Sequence, residues 1–315
     1  MCLYPRLIQN PKYKPNKKNG GQPPKPSDTR LLAVAIGCGN CIECRRQLAN
    51  EWIIRLSEEL KYNNGYFVTL TFSENSLNKI KEYHAIKNEG NEGTENEWAT
   101  TAVRLFLERW RKKYKKSVKH WLITELGHEN TERIHLHGII FTDEEKIKEL
   151  NNIWSYGFTD TGEYCNKRTI NYITKYVTKI DNDHKNFKGK ILCSAGIGNQ
   201  YLISKEGIRF NGYREKNTRE YYRTTEGYKL ALPIYYRNNI YSEEEREKLW
   251  IQKMDDKKIW VMGVQYDIST EEGIKEYLNA LKTAQRDNLK NGYGKIEWNR
   301  DDYKRILQKY NKLDH

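Results

Sequence analysis

KHWLITEL (residues 119–126) and RIHLHGIIF (133–141), with the polar turn GHENTE (127–132) between them, are the stretch on which the fold turns. Both runs are rich in β-branched, aliphatic and aromatic residues and are bounded by turn-forming ones, so they read as the two strands of an antiparallel hairpin. Side chains two apart in a strand share a face. His135 and His137 therefore project together, and so do Trp121, Ile123 and Glu125. A turn that joins the strands symmetrically sets Glu125 opposite His135 on that same face. The face is otherwise apolar, and a carboxylate on it needs a partner or solvent. Two neutral imidazoles and a carboxylate make a donor set for a divalent ion that keeps open positions for a substrate. The competing reading is two half-exposed histidines on an edge strand.

Working outward, residues 48–60 read as an amphipathic helix with Leu48, Trp52, Ile53, Leu56 and Leu60 inward, stopped by Asn63-Asn64-Gly65. GYFVTLTF (65–72) reads as a buried strand, and the polar, Gly/Asn/Glu-rich residues 73–97 as a long loop. A second helix is expected over about 98–116, with Val103, Phe106, Leu107, Trp110 and Tyr114 inward and Lys/Arg outward. Further expectations are a short helix at 143–153, a helix at 168–180, a strand and tight turn at 189–198, and helices near 242–258, 270–290 and 300–312. The fold class is α+β: helices packed on a central antiparallel sheet, with an N-terminal Cys-rich segment and a helical C-terminal extension. Three segments are expected: 1–64 (Pro-rich arm, cysteine cluster and first helix), 65–200 (the core) and 201–315 (a basic, Tyr/Lys-rich extension).

The chain has 315 residues with 55 Lys+Arg against 42 Asp+Glu, a net +13 that points to a polyanionic partner. No run approaches the roughly 18–20 apolar residues of a membrane span, and no signal-type stretch follows Met1, which argues for a cytosolic protein. The six cysteines are not spaced as a disulfide framework.

YITKYVTK (172–179) is the next chemical feature. On a helix, Ile170, Ile173, Val177 and Ile180 fall on one side, while Tyr172, Lys175, Tyr176 and Lys179 share another, about 130° away. A phenol has a pKa near 10 and is a poor nucleophile unless nearby cations stabilise its phenolate. Lysines at i+3 supply that charge, or hold a phosphate against it. The bland reading is a Tyr/Lys surface stripe in a chain with 23 Tyr.

FVTLTF, Glu125 with HLH on paired strands, and YITKYVTK on the following helix resemble, in order, the motifs of HUH endonucleases of the two-tyrosine type, the rolling-circle replication initiators and relaxases. The likeness is strongest to the initiators of gokushovirus-type microviruses, small single-stranded DNA phages, and extends to CGNCIECRRQLANEW (38–52), CSAGIG (193–198) and LALPIYYRNNIYSEEE (230–245). The resemblance implies that His135, His137 and Glu125 hold Mg²⁺ or Mn²⁺ and that Tyr172 and Tyr176 are the nucleophiles, with Lys175 and Lys179 orienting the phosphate or supporting the phenolates. It implies nicking and joining of single-stranded DNA at a replication origin in the host bacterial cytoplasm, with host helicase or polymerase as further partners. His128, in the GHENTE turn, competes with Glu125 as the third ligand.

Cys38, Cys41 and Cys44 lie at metal-ligand spacing, and Cys2 is the natural fourth ligand of a structural Zn²⁺ if the Pro-rich arm folds back; Cys165 and Cys193 are weaker choices. The ferredoxin-like continuation of an iron–sulfur site is absent, and buried unligated thiols are the alternative. Two rivals come from other classes. A non-haem iron oxygenase shares the His/His/carboxylate set but leaves the Tyr/Lys helix unexplained. A non-catalytic single-strand binder uses the aromatics and basic charge but makes the donor set accidental.

Overall fold

A computed structural model describes all residues except 128–131, 182, 185–186, 294–297 and 312–315, so His128 lies outside the described residues. In chain order the elements up to residue 193 are β1 (Arg6–Gln9), β2 (Ala33–Ile36), α1 (Ile42–Leu60), β3 (Gly65–Leu70), α2 (Glu74–Lys87), α3 (Glu95–Tyr114), β4 (Lys119–Leu126), β5 (Ile134–Phe141), α4 (Glu144–Ile147), α5 (Leu150–Trp154), β6 (Thr159–Tyr164), α6 (Lys167–Thr178) and β7 (Ile191–Cys193). Five strands form an antiparallel sheet in the order β6-β3-β5-β4-β7, with the 119–141 hairpin at its centre. The class is α+β, as the sequence predicts.

Alternation along the strands sends two sets of side chains to opposite faces of the sheet. Trp121, Ile123, Ile139 and Phe141 meet Ala49, Trp52 and Leu56 of α1 and Ile170, Ile173 and Val177 of α6. Val68, Leu70, Leu122, Leu136 and Ile140 meet Phe106 and Trp110 of α3 and Trp154 of α5. The central strands approach closely at Gly138, where a Cβ would lie 2.0 Å from the Trp121 carbonyl oxygen. Only glycine fits beside His137 at that point.

Several expectations need correction. Leu48, expected inward, is 40 % exposed. The stripe that meets the sheet runs Ala49–Trp52–Leu56, and the residue one position earlier turns about 100° away. Residues 73–97 are not a long loop, because α2 occupies most of them. Ser73 caps it, accepting from the Ser76 amide at 3.2 Å. Only Leu77 and Ile80 of α2 are buried, so most of its length carries no apolar periodicity to read. The edge strand β6 (TDTGEY) is not among the expected elements, because it has almost no apolar residue to read.

The chain divides into two compact units, Ala49–Ser204 and a second made of Met1–Leu48 with Lys205–His315, rather than into three consecutive segments ending at 64 and 200. The first holds the sheet. In the second, β1 pairs with β2 inside what the sequence presents as an irregular arm, and the helices Glu243–Asp255, Glu271–Lys290 and Arg300–Asn311 fall close to their expected places. No helix among the described residues is long and apolar enough to cross a membrane.

Candidate metal and tyrosine site

The hairpin register pairs Glu125 with His135 and Ile123 with His137, as the symmetrical turn predicts. On the other flank of β5, Thr69 of β3 pairs with His137. Glu125, His135 and His137 thus share one face at one end of the two central strands, and their ligating atoms all lie within 4.8 Å of one another. Glu125 Oε2 is 3.0 Å from His137 Nε2 and 3.3 Å from His135 Nε2.

The second nitrogen of each ring is also engaged. His135 Nδ1 lies 3.3 Å from the Arg133 carbonyl oxygen, which can only accept, so in the neutral ring Nδ1 carries the proton and Nε2 presents a bare lone pair. That lone pair faces a carboxylate oxygen, an arrangement that repels unless a proton or a cation stands between them. His137 Nδ1 lies 3.1 Å from Thr69 Oγ1, which fixes the ring's orientation. A donor set of two imidazole nitrogens and a carboxylate, each ring held from behind, fits a divalent metal ion. Burial alone would raise the Glu125 carboxyl, but hydrogen bonds from His135, His137 and Lys179 outweigh it and hold it well below the usual carboxylate range.

Helix α6 starts on an Asn166 cap, whose side chain accepts from the Arg168 and Thr169 amides at 2.8 and 3.2 Å. Its buried face carries Ile170, Ile173, Thr174 and Val177. Tyr172 is exposed and Tyr176 half-buried on the other side, with their hydroxyls 2.8 Å apart. The Tyr176 ring stacks on His137, with centroids 4.6 Å apart and planes 16° from parallel, while Tyr172 meets Phe67 edge-on at 5.9 Å. Burial, then the bond with Tyr172 and the negative charge of Glu125, push the Tyr176 phenol above its ordinary value.

The helix ends at Thr178, short of the expected 180, and Lys179 and Ile180 leave it. Lys179 is the C-cap with ψ 133°, yet its ammonium still pairs with Glu125 and lies 6.0 Å from the Tyr176 ring centre. Lys175 is exposed on the helix between the two tyrosines. Thr69 and Phe67 are the residues sequence reasoning missed. Both sit in GYFVTL two positions apart, and that parity places them on the histidine face. In the other unit, Cys2, Cys38, Cys41 and Cys44 bring their Sγ atoms within 4.8 Å of one another.

This combination of an antiparallel sheet, a Glu/His/His cluster and a tyrosine helix coincides with a family match. Residues 65–181, from β3 to just beyond α6, match the model of the replication-associated protein ORF2 family. The chain is also similar to replication-associated protein ORF2 of Spiroplasma virus 4, at 27 % identity over 202 residues covering 56 % of this chain and 60 % of the relative. The chain therefore spans about 60 % of the length of the curated relative it matches. No solved structure matches it. These likenesses point to viral replication initiation.

Proposed function

We propose that the protein is a two-tyrosine HUH endonuclease that nicks and joins single-stranded DNA to initiate rolling-circle replication of a small circular phage genome of the gokushovirus type. The observation that carries this reading is the stack of Tyr176 on His137, which sets two linked phenols beside a three-donor metal cluster. Mg²⁺ or Mn²⁺ held by Glu125, His135 and His137 would supply Lewis acidity and charge neutralisation at the scissile phosphate.

A tyrosine hydroxyl oxygen attacks phosphorus. The new O–P bond forms as the bond to the 3′-oxygen breaks, and the phenol's proton is balanced by protonation of the departing 3′-oxygen. The products are a 5′-phosphotyrosine and a free 3′-hydroxyl. Because the covalent link preserves the phosphodiester energy, attack by a 3′-hydroxyl rejoins the strand without ATP. Each tyrosine hydroxyl lies within hydrogen-bond reach of the other, so the second can hold a proton or take over a cleavage while the first is occupied. Lys175 and Lys179 orient the phosphate. The substrate is the origin strand in the bacterial host's cytoplasm, with host helicase or polymerase acting on the exposed 3′-end.

The test is incubation with a genome-derived single strand and Mn²⁺, followed by denaturing electrophoresis. Label placed 3′ of the nick stays with the protein and label placed 5′ of it does not. Binding without any cleavage under these conditions would favour a non-catalytic single-strand binder.

A further inference from the structure

We propose that Cys2, Cys38, Cys41 and Cys44 form a closed four-thiolate zinc site that ties the start of the chain to the first turn of α1. The proposal is independent of the nuclease reading. A tetrahedral zinc with Zn–S bonds of about 2.3 Å separates its sulfurs by about 3.8 Å. The Cys2 and Cys41 sulfurs are 3.9 Å apart, and all four lie within 4.8 Å of one another. That spacing is nearly twice a disulfide bond of about 2.0 Å. It is also tighter than an iron–sulfur cluster requires, because the thiolates there bind different irons.

The backbone is arranged for negatively charged sulfur. Cys2 Sγ accepts from the amides of Tyr4 at 3.3 Å and Cys38 at 3.2 Å. Cys38 Sγ accepts from Asn40 at 3.5 Å and Cys41 at 3.3 Å. Gly39, at φ 75°, allows the turn that aims those last two amides. Four amide donors on two sulfurs disperse thiolate charge that would otherwise repel in so small a space.

The surroundings make the site structural. Cys41 is fully buried, and Leu3, Tyr4, Val261, Leu281 and Ala284 pack around it, which leaves no open face for a substrate. Helix Glu271–Lys290 is bound to the same segment. Gln285 donates to the Leu3 carbonyl at 2.8 Å, and the buried Asn288 side chain accepts from the Ile42 amide at 2.9 Å. One ion thereby fixes the two chain segments that this helix also grips, in a unit assembled from both ends of the sequence.

The experiment uses the full chain carrying Glu125→Ala, His135→Ala and His137→Ala, which removes the other metal cluster, purified without chelator. The expected result is about one zinc per chain, released when a mercurial blocks the thiols. Four of the six cysteines should react slowly with a disulfide reagent until the zinc is withdrawn. Cobalt(II) exchanged into the site should show thiolate charge-transfer absorption. Cys2→Ser should weaken zinc by more than about 100-fold, the upper end of what losing a supporting contact costs, whereas Cys193→Ser should leave it unchanged. Should the serine variants fail to fold, the stoichiometry and thiol protection of the triple variant still decide. Iron in place of zinc, or a metal-free chain with all its thiols equally reactive after zinc is added, would overturn the proposal.

Discussion

The phenol ring of Tyr176 lies face to face with the imidazole of His137, centroids 4.6 Å apart. The contact joins α6 to the central strand of the sheet, so the proposed nucleophile and the proposed metal ligand hold each other in place. His137 is further bound through Nδ1 to Thr69, on the neighbouring strand. Strand register, ring stacking and helix orientation thus converge on one imidazole.

Alanine at His135 or His137 is expected to abolish nicking while single-strand affinity stays within about threefold, because phosphate binding draws on dispersed Lys and Arg. The two variants should differ in stability. His137→Ala also loses the Tyr176 stack, a contact of about 0.5–1.5 kcal/mol, and His135→Ala does not. Parallel filter binding, nicking and thermal melts check both statements. A double variant that still cleaves with Mg²⁺ or Mn²⁺ would remove the metal assignment.

Thr69→Val keeps the shape of the side chain but deletes the oxygen 3.1 Å from His137 Nδ1. Losing such an orienting partner should weaken the metal about 10- to 100-fold. The Mn²⁺ concentration for half-maximal nicking should rise accordingly, the rate at saturating Mn²⁺ should change little, and Thr69→Ser should restore the wild-type midpoint. An unshifted midpoint would make Thr69 a packing residue only.

How much of this was legible in the sequence differs from element to element. The register of Glu125 against His135 follows from two apolar runs flanking a polar turn, because a slip of one residue would turn both histidines into the opposite core. The face of α6 follows from the spacing of Ile170, Ile173 and Val177. Other features left no local signal. Helix α2 buries only Leu77 and Ile80 and is stabilised by packing, not by its own pattern. The departure of Lys179 from the helix is likewise a tertiary effect: the chain leaves α6 there while the Lys179 side chain still reaches Glu125 on the sheet. The fully buried Glu59, which accepts from the Gly198 amide at 2.7 Å and pairs with Lys119 at 2.7 Å, reads in sequence as one more surface charge on α1.

Glu220 gives the pH dependence of the other unit. Burial would raise its carboxyl, but Lys253 and Arg237, at 2.7 and 2.6 Å, hold it below its ordinary value. A depressed folded-state pKa adds stability that is complete above the unfolded value of about 4.3 and is lost as pH falls through the folded one. Glu220→Gln should therefore melt below the wild type at neutral pH, by an amount corresponding to about 1–3 kcal/mol. The gap should close as pH falls below about 4. A gap independent of pH would mean that the carboxylate's charge contributes nothing.

Phenylalanine keeps each tyrosine's ring and deletes its hydroxyl, so Tyr172→Phe and Tyr176→Phe should each still permit a single cleavage but not repeated cleavage and joining. The double variant should form no adduct. Gel assays of first-turnover adduct and of multiple-turnover strand joining separate these outcomes. Full multiple turnover by either single variant would mean that one tyrosine suffices.

The most direct measurement is the identity of the residue that carries DNA. Trypsin cuts after Arg168, Lys175 and Lys179, so Tyr172 and Tyr176 fall on separate peptides, TINYITK and YVTK. After cleavage of a genome-derived strand, nuclease trimming and mass spectrometry should find the nucleotide adduct on one or both of these peptides and nowhere else. An adduct on a peptide outside α6, or cleavage with no protein-linked nucleotide, would contradict the two-tyrosine account.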